Sequence, residues 1–288
     1  MEQDKNWRRE EFIDEEEFFR ENSDKEGASV FVGTSGWSYK DWEGNFYPAG
    51  TKQAGYLESY TGVFGVVEID STFYAVPRQS AVDGWAKRSS ENFRFCAKFP
   101  REITHDRSLL GCGELSRVFL DRMSVLEGKL GPFLLQFPAT FTAAENFPIL
   151  EAYLGTLPGD HHYAVELRSR DWRQRETLEL LAAHNVAWTI GVGAAGEEHR
   201  PLTADFAYIR WLGSREISQF SEVQVNRQRE IRDWADWIME RAAELREVYG
   251  FFNNHYSGHA PTNARELLER LGHEPPPDPG RRQGSLFD

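Results

Sequence analysis

Side chains able to move protons, grip anions or offer amides recur at one kind of place in this sequence, directly after short apolar runs. Glu68 and Asp70 follow Val66-Val67, Lys98 follows Phe95-Cys96-Ala97, and Gln136 follows Phe133–Leu135. Glu166 and Arg168 follow Ala164-Val165, Arg210 follows Tyr208-Ile209, and Asn253 and Asn254 follow Phe251-Phe252. Glu166 and Glu68 are the candidate proton-transfer groups, because a carboxyl's pKa rises in a dry pocket and falls beside an arginine. Lys98, Arg168 and Arg210 suit an anionic or polyhydroxylated ligand, the arginines through planar two-pronged contacts. His105, in Arg101-Glu102-Ile103-Thr104-His105, titrates in the range that a proton shuttle needs, although a lone loop histidine is more often simply solvated.

Side chains alternate along a strand, so Glu68 shares a face with Asp70 and Glu166 with Arg168. By the same rule Lys98 lies with Cys96, Gln136 with Leu134, and Arg210 with Tyr208. Pointed into a barrel, these faces would crown its interior with ions, each costing several kcal/mol to desolvate unless paired. Barrel layers are ordinarily Val, Ile and Leu, so a ligand is the favoured reason for the charges. The alternative is a closed ion-pair network, Glu166 with Arg210 and Glu68 with Lys98, that merely seals the barrel. It would leave Gln136, Asn253, Asn254 and His105 in need of partners.

Aromatic residues crowd the same loops, and Trp37, Tyr39, Tyr74 and Trp172 are the expected pocket walls. Flat rings suit sugars and bases, and a stacked base is worth about 1–3 kcal/mol. Metal binding has weak support: there is no His-x-His, no His-Glu-x-x-His and no Cys pair. Neither a phosphate-cradling P-loop nor a Gly-x-Ser-x-Gly elbow is present. No metal and no cofactor are predicted.

Positioning these residues requires many strand ends on one side. Strand-like runs lie near 30–34, 66–70, 93–98, 132–136, 162–168, 187–192, 206–211 and 248–253. Helical patterns lie near 53–62, 79–89, 114–129, 144–154, 174–184, 223–247 and 261–271. This alternation predicts an α/β fold, a TIM-type (β/α)8 parallel barrel, which collects the carboxyl ends of its strands on one face. Gly193–Ala204, after the sixth strand, carries a weak or missing helix. An open doubly wound sheet would share the alternation, but no Gly-x-Gly-x-x-Gly turn follows the first strand.

The chain has 288 residues and a net charge of −13. That balance disfavours a broad, direct nucleic-acid surface, which is basic. No apolar stretch approaches membrane-spanning length, so no membrane partner is expected. Cys96 and Cys112 show no metal or redox spacing and read as reduced thiols of a cytoplasmic protein. Residues 1–27 read as an acidic N-terminal extension, with Phe12, Glu16 and Phe19 on one helical face and Ile13 beside them. Residues 28–272 read as the barrel. Residues 273–288 read as a stiff Pro-rich linker, Glu274–Pro279, and a short tail.

Gly33-Thr34-Ser35-Gly36-Trp37-Ser38-Tyr39, Val67-Glu68-Ile69-Asp70-Ser71-Thr72-Phe73-Tyr74 and Lys98-Phe99-Pro100-Arg101-Glu102-Ile103-Thr104-His105 together resemble the domain-of-unknown-function 72, or YecE-like, family. So do Leu134-Leu135-Gln136-Phe137-Pro138, Glu166-Leu167-Arg168 with Asp171-Trp172, and Phe252-Asn253-Asn254 with Gly258-His259-Ala260-Pro261. The resemblance covers nearly all of 28–272, in order, and implies a TIM-type barrel without implying a particular reaction. Asp70 stands where many relatives have Asn, which adds a carboxylate to the mouth. Arg210-Trp211-Leu212-Gly213 stands where many have Arg-Leu-His-Gly, which removes a histidine.

These features predict a barrel enzyme acting on a polar or anionic small molecule, nucleotide- or sugar-like, by carboxylate acid/base chemistry of a hydrolase, isomerase or lyase kind. The alternative lies in the tail. Gln283-Gly284-Ser285-Leu286-Phe287 resembles the Gln-x-x-Leu-Phe peptide by which bacterial replication and repair proteins dock on the sliding clamp. Gln283 would make backbone contacts, and Leu286 and Phe287 would fill an apolar pocket. The chain would then be a clamp-recruited DNA-maintenance factor or binding protein.

Overall fold

The computed structural model describes residues 27–193 and 200–274. The expected helix around Phe12, Glu16 and Phe19 and the tail residues Gln283, Leu286 and Phe287 lie outside the described residues. The apolar runs form eight parallel strands: β1 (Ser29–Ser35), β2 (Val66–Ile69), β3 (Arg94–Ala97), β4 (Phe133–Gln136), β5 (Tyr163–Glu166), β6 (Val186–Gly193), β7 (Phe206–Gly213) and β8 (Glu247–Phe252). Between and after them run α1 (Tyr56–Thr61), α2 (Gln79–Lys87), α3 (Gly113–Met123), α4 (Ala143–Leu154), α5 (Arg175–Ala183), α6 (Gln228–Arg241) and α7 (Ala260–Arg270).

The hydrogen-bonded order is β3-β2-β1-β8-β7-β6-β5-β4. The first and last strands are therefore neighbours, and the sheet curls until β3 meets β4. Phe99 N donates to Leu134 O at 2.8 Å and Gly131 N to Phe95 O at 2.9 Å across that seam. The result is a TIM-type barrel. No helix among the described residues is long and apolar enough to cross a membrane.

Two sequence boundaries shift. The helix expected over 114–129 ends at Met123, and the tighter turn that follows breaks at Glu127, whose φ of 49° is outside the helical region. The helix expected over 223–247 occupies only Gln228–Arg241. Between β6 and β7 the described residues form no helix, and 194–199 lie outside the description.

The strand alternation divides the core into two layers. Inward-facing Phe31, Val66, Cys96, Leu134, Ala164, Ala187, Phe206, Tyr208, Tyr249 and Phe251 fill the barrel. Small residues on β3, β5 and β6 face rings on β7 and β8, so the volumes interdigitate. Outward-facing residues such as Val67, Phe95, Phe133, Val165, Ile209 and Trp211 pack under the helices. Strand by strand, the inner layer ends in the polar residues of the mouth.

One side chain substitutes for ladder bonds between β1 and β2. Tyr60 of α1 accepts from Thr34 N at 2.9 Å and donates to Val66 O at 3.0 Å. Gly33 leaves room for this insertion, since a Cβ there would lie 2.2 Å from Val66 O and 2.9 Å from the Tyr60 hydroxyl. Tyr60→Phe strands a buried N–H and a buried carbonyl. We expect it to lower unfolding free energy by about 2 kcal/mol, read as a lower urea midpoint with unchanged m-value; an unchanged midpoint would contradict the role.

Candidate functional site

Arg210, at the inward position of β7 above Tyr208, is the centre of the mouth. It is buried, and its Nε and Nη2 donate to Glu68 of β2 at 2.9 and 2.8 Å. Its Nη1 donates to Glu166 of β5 at 2.5 Å. Glu68 also accepts from Ser35 Oγ at 2.9 Å and Tyr208 Oη at 2.8 Å. Arg168 Nε binds the other oxygen of Glu166 at 2.8 Å. Burial alone would raise the Glu166 pKa, but Arg210 and Arg168 outweigh it and hold the carboxyl at about 2.

This geometry revises the roles expected of the glutamates. Glu68 is fully buried with both oxygens saturated, so it has no lone pair free for a substrate. Glu166 stays ionised at neutral pH and orients arginines. The Glu68–Lys98 pair of the sealing network does not form: Glu68 pairs with Arg210, across the barrel interior.

Asp70, Phe73, Tyr74, Lys98, Arg101, His105, Gln136, Arg168, Arg210, Leu212, Gly213, Arg215, Asn253 and His255 line a cavity of about 770 Å³ above this floor. They come from the carboxyl ends of β2, β3, β4, β5, β7 and β8. Asp70 is the acid among them. Its Oδ1 is buried without a hydrogen bond and lies 3.8 Å from Arg210, although the side chain as a whole is 34% exposed. Burial and the neighbouring Glu68 raise its pKa to about 6, against the opposing pull of Arg210 and Lys98.

Lys98 Nζ stands 4.2 Å from the centre of the Phe73 ring, and burial and Arg210 lower its pKa. His105 sits on a π-helical turn, Glu102–Asp106, a geometry frequent at functional sites. Its ring abuts Phe73, its Nδ1 lies 2.9 Å from Thr104 Oγ1, and burial and Lys98 lower its pKa, so it is neutral at pH 7. The Gln136 amide has no protein partner among the described residues. Asn253 Oδ1 accepts from His255 N at 3.0 Å.

Four expected ligand contacts lie elsewhere. Trp172 is fully buried, stacked on Phe141 at 5.5 Å and bonded to its carbonyl at 2.7 Å; it packs the rim outward. Asn254 turns inward, its Oδ1 accepting from Trp42 Nε1 and Ala260 N. Trp37 packs edge-on against Trp85, and Tyr39 against Trp42 with its hydroxyl on Ser35 O. Tyr74 alone of the four expected aromatic walls lines the cavity, with 81% exposure.

Phe73 and Arg101, inside motifs already singled out, and Arg215 and His255, just beyond strand ends, escaped the sequence reading. Strand-end proximity was the available signal. Gly213 also shapes the wall: its φ is 70°, and a Cβ there would lie 2.0 Å from His255 O, so only glycine lets these loop backbones meet. Among the described residues no group of three His, Cys, Asp or Glu is placed to hold a metal ion.

Residues 31–283 match the family of proteins of unknown function DUF72. The UPF0759 protein YecE of Escherichia coli (strain K12) is 38% identical over 139 residues, 48% of this chain and 48% of that protein. That alignment thus spans about half the length of the relative. The UPF0759 protein YunF of Bacillus subtilis (strain 168) is 26% identical over 84% of this chain and 94% of its own length. Among solved structures, a DUF72 family protein of Thermotoga maritima superposes with a TM-score of 0.75 at 28% identity, covering 85% of this chain and all, 100%, of that one.

The raised Asp70 pKa makes a stability prediction. Between about pH 4 and 6 the folded chain keeps a proton that the unfolded chain has released. Ionised Asp70 therefore destabilises the fold increasingly through that window and by a constant amount above it. Asp70→Asn is expected to stabilise the protein at pH 8 by roughly 1 kcal/mol, the third-exposed side chain being partly screened. Near pH 4 the difference should vanish. A variant less stable than wild type at pH 8 in thermal melts would contradict the assignment.

Proposed function

The chain belongs to the DUF72 family, and we propose that it is a barrel enzyme holding a polar, anionic small molecule, nucleotide- or sugar-like, at its mouth. A carboxylate there moves a proton on that molecule. The observation that carries this reading is the cavity wall, in which Lys98, Arg101, Arg168, Arg210 and Arg215 stand against one acid, Asp70. Arg210 and Arg168 are engaged by Glu68 and Glu166, and Arg101 pairs with Asp106 at the surface. Lys98 and Arg215 have no carboxylate partner among the described residues. In a chain of net charge −13, such a cationic hollow focuses field on an incoming anion.

Asp70, with a pKa of about 6, has the match to near-neutral pH that favours a general acid or base. Neutral His105 is a second candidate for proton transfer. Glu68 and Glu166 act through Arg210 and Arg168 as positioning residues. Gln136 and Asn253 supply amides for hydroxyls, and Phe73 and Tyr74 supply ring surface. Proton transfer of this kind serves isomerase, lyase or hydrolase chemistry. A cytoplasmic location belongs to this reading, supported by the free, buried thiols of Cys96 and Cys112.

Calorimetry with sugar phosphates and their unphosphorylated parents tests it. The phosphorylated form should bind at least about tenfold more tightly, and Arg215→Gln should weaken it about tenfold, the scale of one charged hydrogen bond. Equal affinity for both forms, or indifference to Arg215→Gln, contradicts the reading.

Gln283, Leu286 and Phe287 support a second role, recruitment to a bacterial sliding clamp and hence to DNA maintenance. Full-length chain should be captured by purified clamp, and deletion of Gln283–Asp288 should abolish capture. Equal capture with and without these residues rejects this role.

A further inference from the structure

The protein buries two lysines at its described core, and they are treated differently. Lys129 is saturated: its Nζ donates to Ala86 O at 2.8 Å and Ser89 O at 3.0 Å and pairs with Glu91 at 3.2 Å. Lys98 is equally buried, at 9% exposure against 8%, yet among the described residues its Nζ has no hydrogen-bond acceptor and no carboxylate within 4.0 Å. The Phe73 ring face is its neighbour. The carboxylates deepest in the mouth, Glu68 and Glu166, are occupied by Arg210 and Arg168. Lys98 is nonetheless held firmly, since its carbonyl lies 2.6 Å from Thr72 Oγ1 and Phe99, next along, bonds into β4.

The stem of Lys98 is buried and anchored while its amine, resting on the Phe73 ring, faces the cavity instead of a carboxylate, which leaves it available to whatever the cavity holds. We propose that Lys98 is a nucleophile that forms an imine with the carbonyl carbon of a substrate bearing an anionic group, such as an open-chain sugar phosphate or a 2-oxo acid. This rests on, and sharpens, the reading of the mouth as an anion site.

The chemistry uses groups already in the cavity. The neutral amine of Lys98 attacks the carbonyl carbon, a C–N bond forms, and the carbonyl π electrons move to oxygen. That oxygen takes the proton of the Asp70 carboxyl. The nitrogen of the resulting carbinolamine returns a proton to the Asp70 carboxylate. Protonation of the carbinolamine hydroxyl by Asp70 then lets water leave as the nitrogen lone pair forms the C=N bond. Amine, carbonyl compound and one proton thus give a protonated imine and water, with no oxidant or reductant. The surroundings favour each step. Burial and Arg210 lower the Lys98 pKa and enrich the free amine, Asp70 exchanges protons near pH 6, and Phe73 provides an apolar wall beside the reacting nitrogen. The protonated imine is an electron sink, so a proton on the adjacent carbon would become removable by Asp70 or His105.

The test is a peptide map of the full-length wild-type chain treated at pH 7 with glyceraldehyde 3-phosphate, and separately with pyruvate, in the presence of sodium cyanoborohydride. The expected result is reductive alkylation of Lys98 several-fold faster than of exposed Lys40, Lys52 or Lys87, because burial and Arg210 enrich its free amine. Lys98→Met should remove that adduct alone. Labelling that shows no preference for Lys98 overturns the proposal. Thermal stabilisation by a sugar phosphate without a Lys98 adduct also overturns it while leaving the anion site standing. A Lys98 adduct that forms equally well with uncharged glyceraldehyde upholds the nucleophile and rejects the anion site.

Discussion

The mouth depends on one interaction, the clamp of Arg210 on Glu68 and Glu166. Three ions lie inside a barrel whose deeper layer is Val66, Cys96, Leu134, Ala164 and aromatic rings. Desolvating them costs several kcal/mol per ion, and an apolar layer would hold the barrel as well or better. The arrangement survives because every carboxylate oxygen in it has a donor. Glu68 receives donors from β1, within β7 and from Arg210 itself, and Glu166 is held between two guanidiniums. Complete satisfaction makes such a network rigid, whereas a partial one would be costly.

That rigidity sets the chemistry of what remains. Once the two glutamates are locked onto arginines, the groups facing the cavity are those the clamp leaves over: a carboxyl pushed toward neutrality, an unpartnered amine, a neutral imidazole and an unpartnered amide. Asp70 is raised partly by burial and partly by the same Glu68 that anchors Arg210, so the floor tunes the wall. Charge is thus separated by depth, with saturated pairs below and unpaired groups above.

Much of this was legible from period-two alternation. Alternation puts Lys98, Gln136 and Arg210 on the faces of Cys96, Leu134 and Tyr208, which fill the barrel, and Glu68 and Glu166 lie two positions after inward-facing Val66 and Ala164. Alternation gives the face of a strand and says nothing about which strands meet across the interior. Alternation alone thus leads to the pairing of Glu68 with Lys98 of the neighbouring β3, while the long side chain of Arg210 reaches Glu68 from β7. Loop aromatics were harder still. Trp172 follows β5 as expected, but a short turn at Arg170–Trp172 swings its ring outward onto Phe141, and no periodic pattern encodes that direction. The helix expected over 114–129 ends at Met123, and the tighter turn after it breaks at Glu127, where φ is 49°, a change of helix type that apolar periodicity does not encode.

Arg210 and Arg168 hold Glu166 permanently charged, while burial and Glu68, working against Arg210, leave Asp70 poised near neutrality. Carbon-13 NMR titration of the side-chain carboxyls in the intact protein measures this directly, with Asp70→Asn and Glu166→Gln spectra providing assignments. Asp70 should show a midpoint near 6, and Glu166 no titration above about pH 3. Both groups titrating together near pH 4, as free carboxyls do, would contradict it.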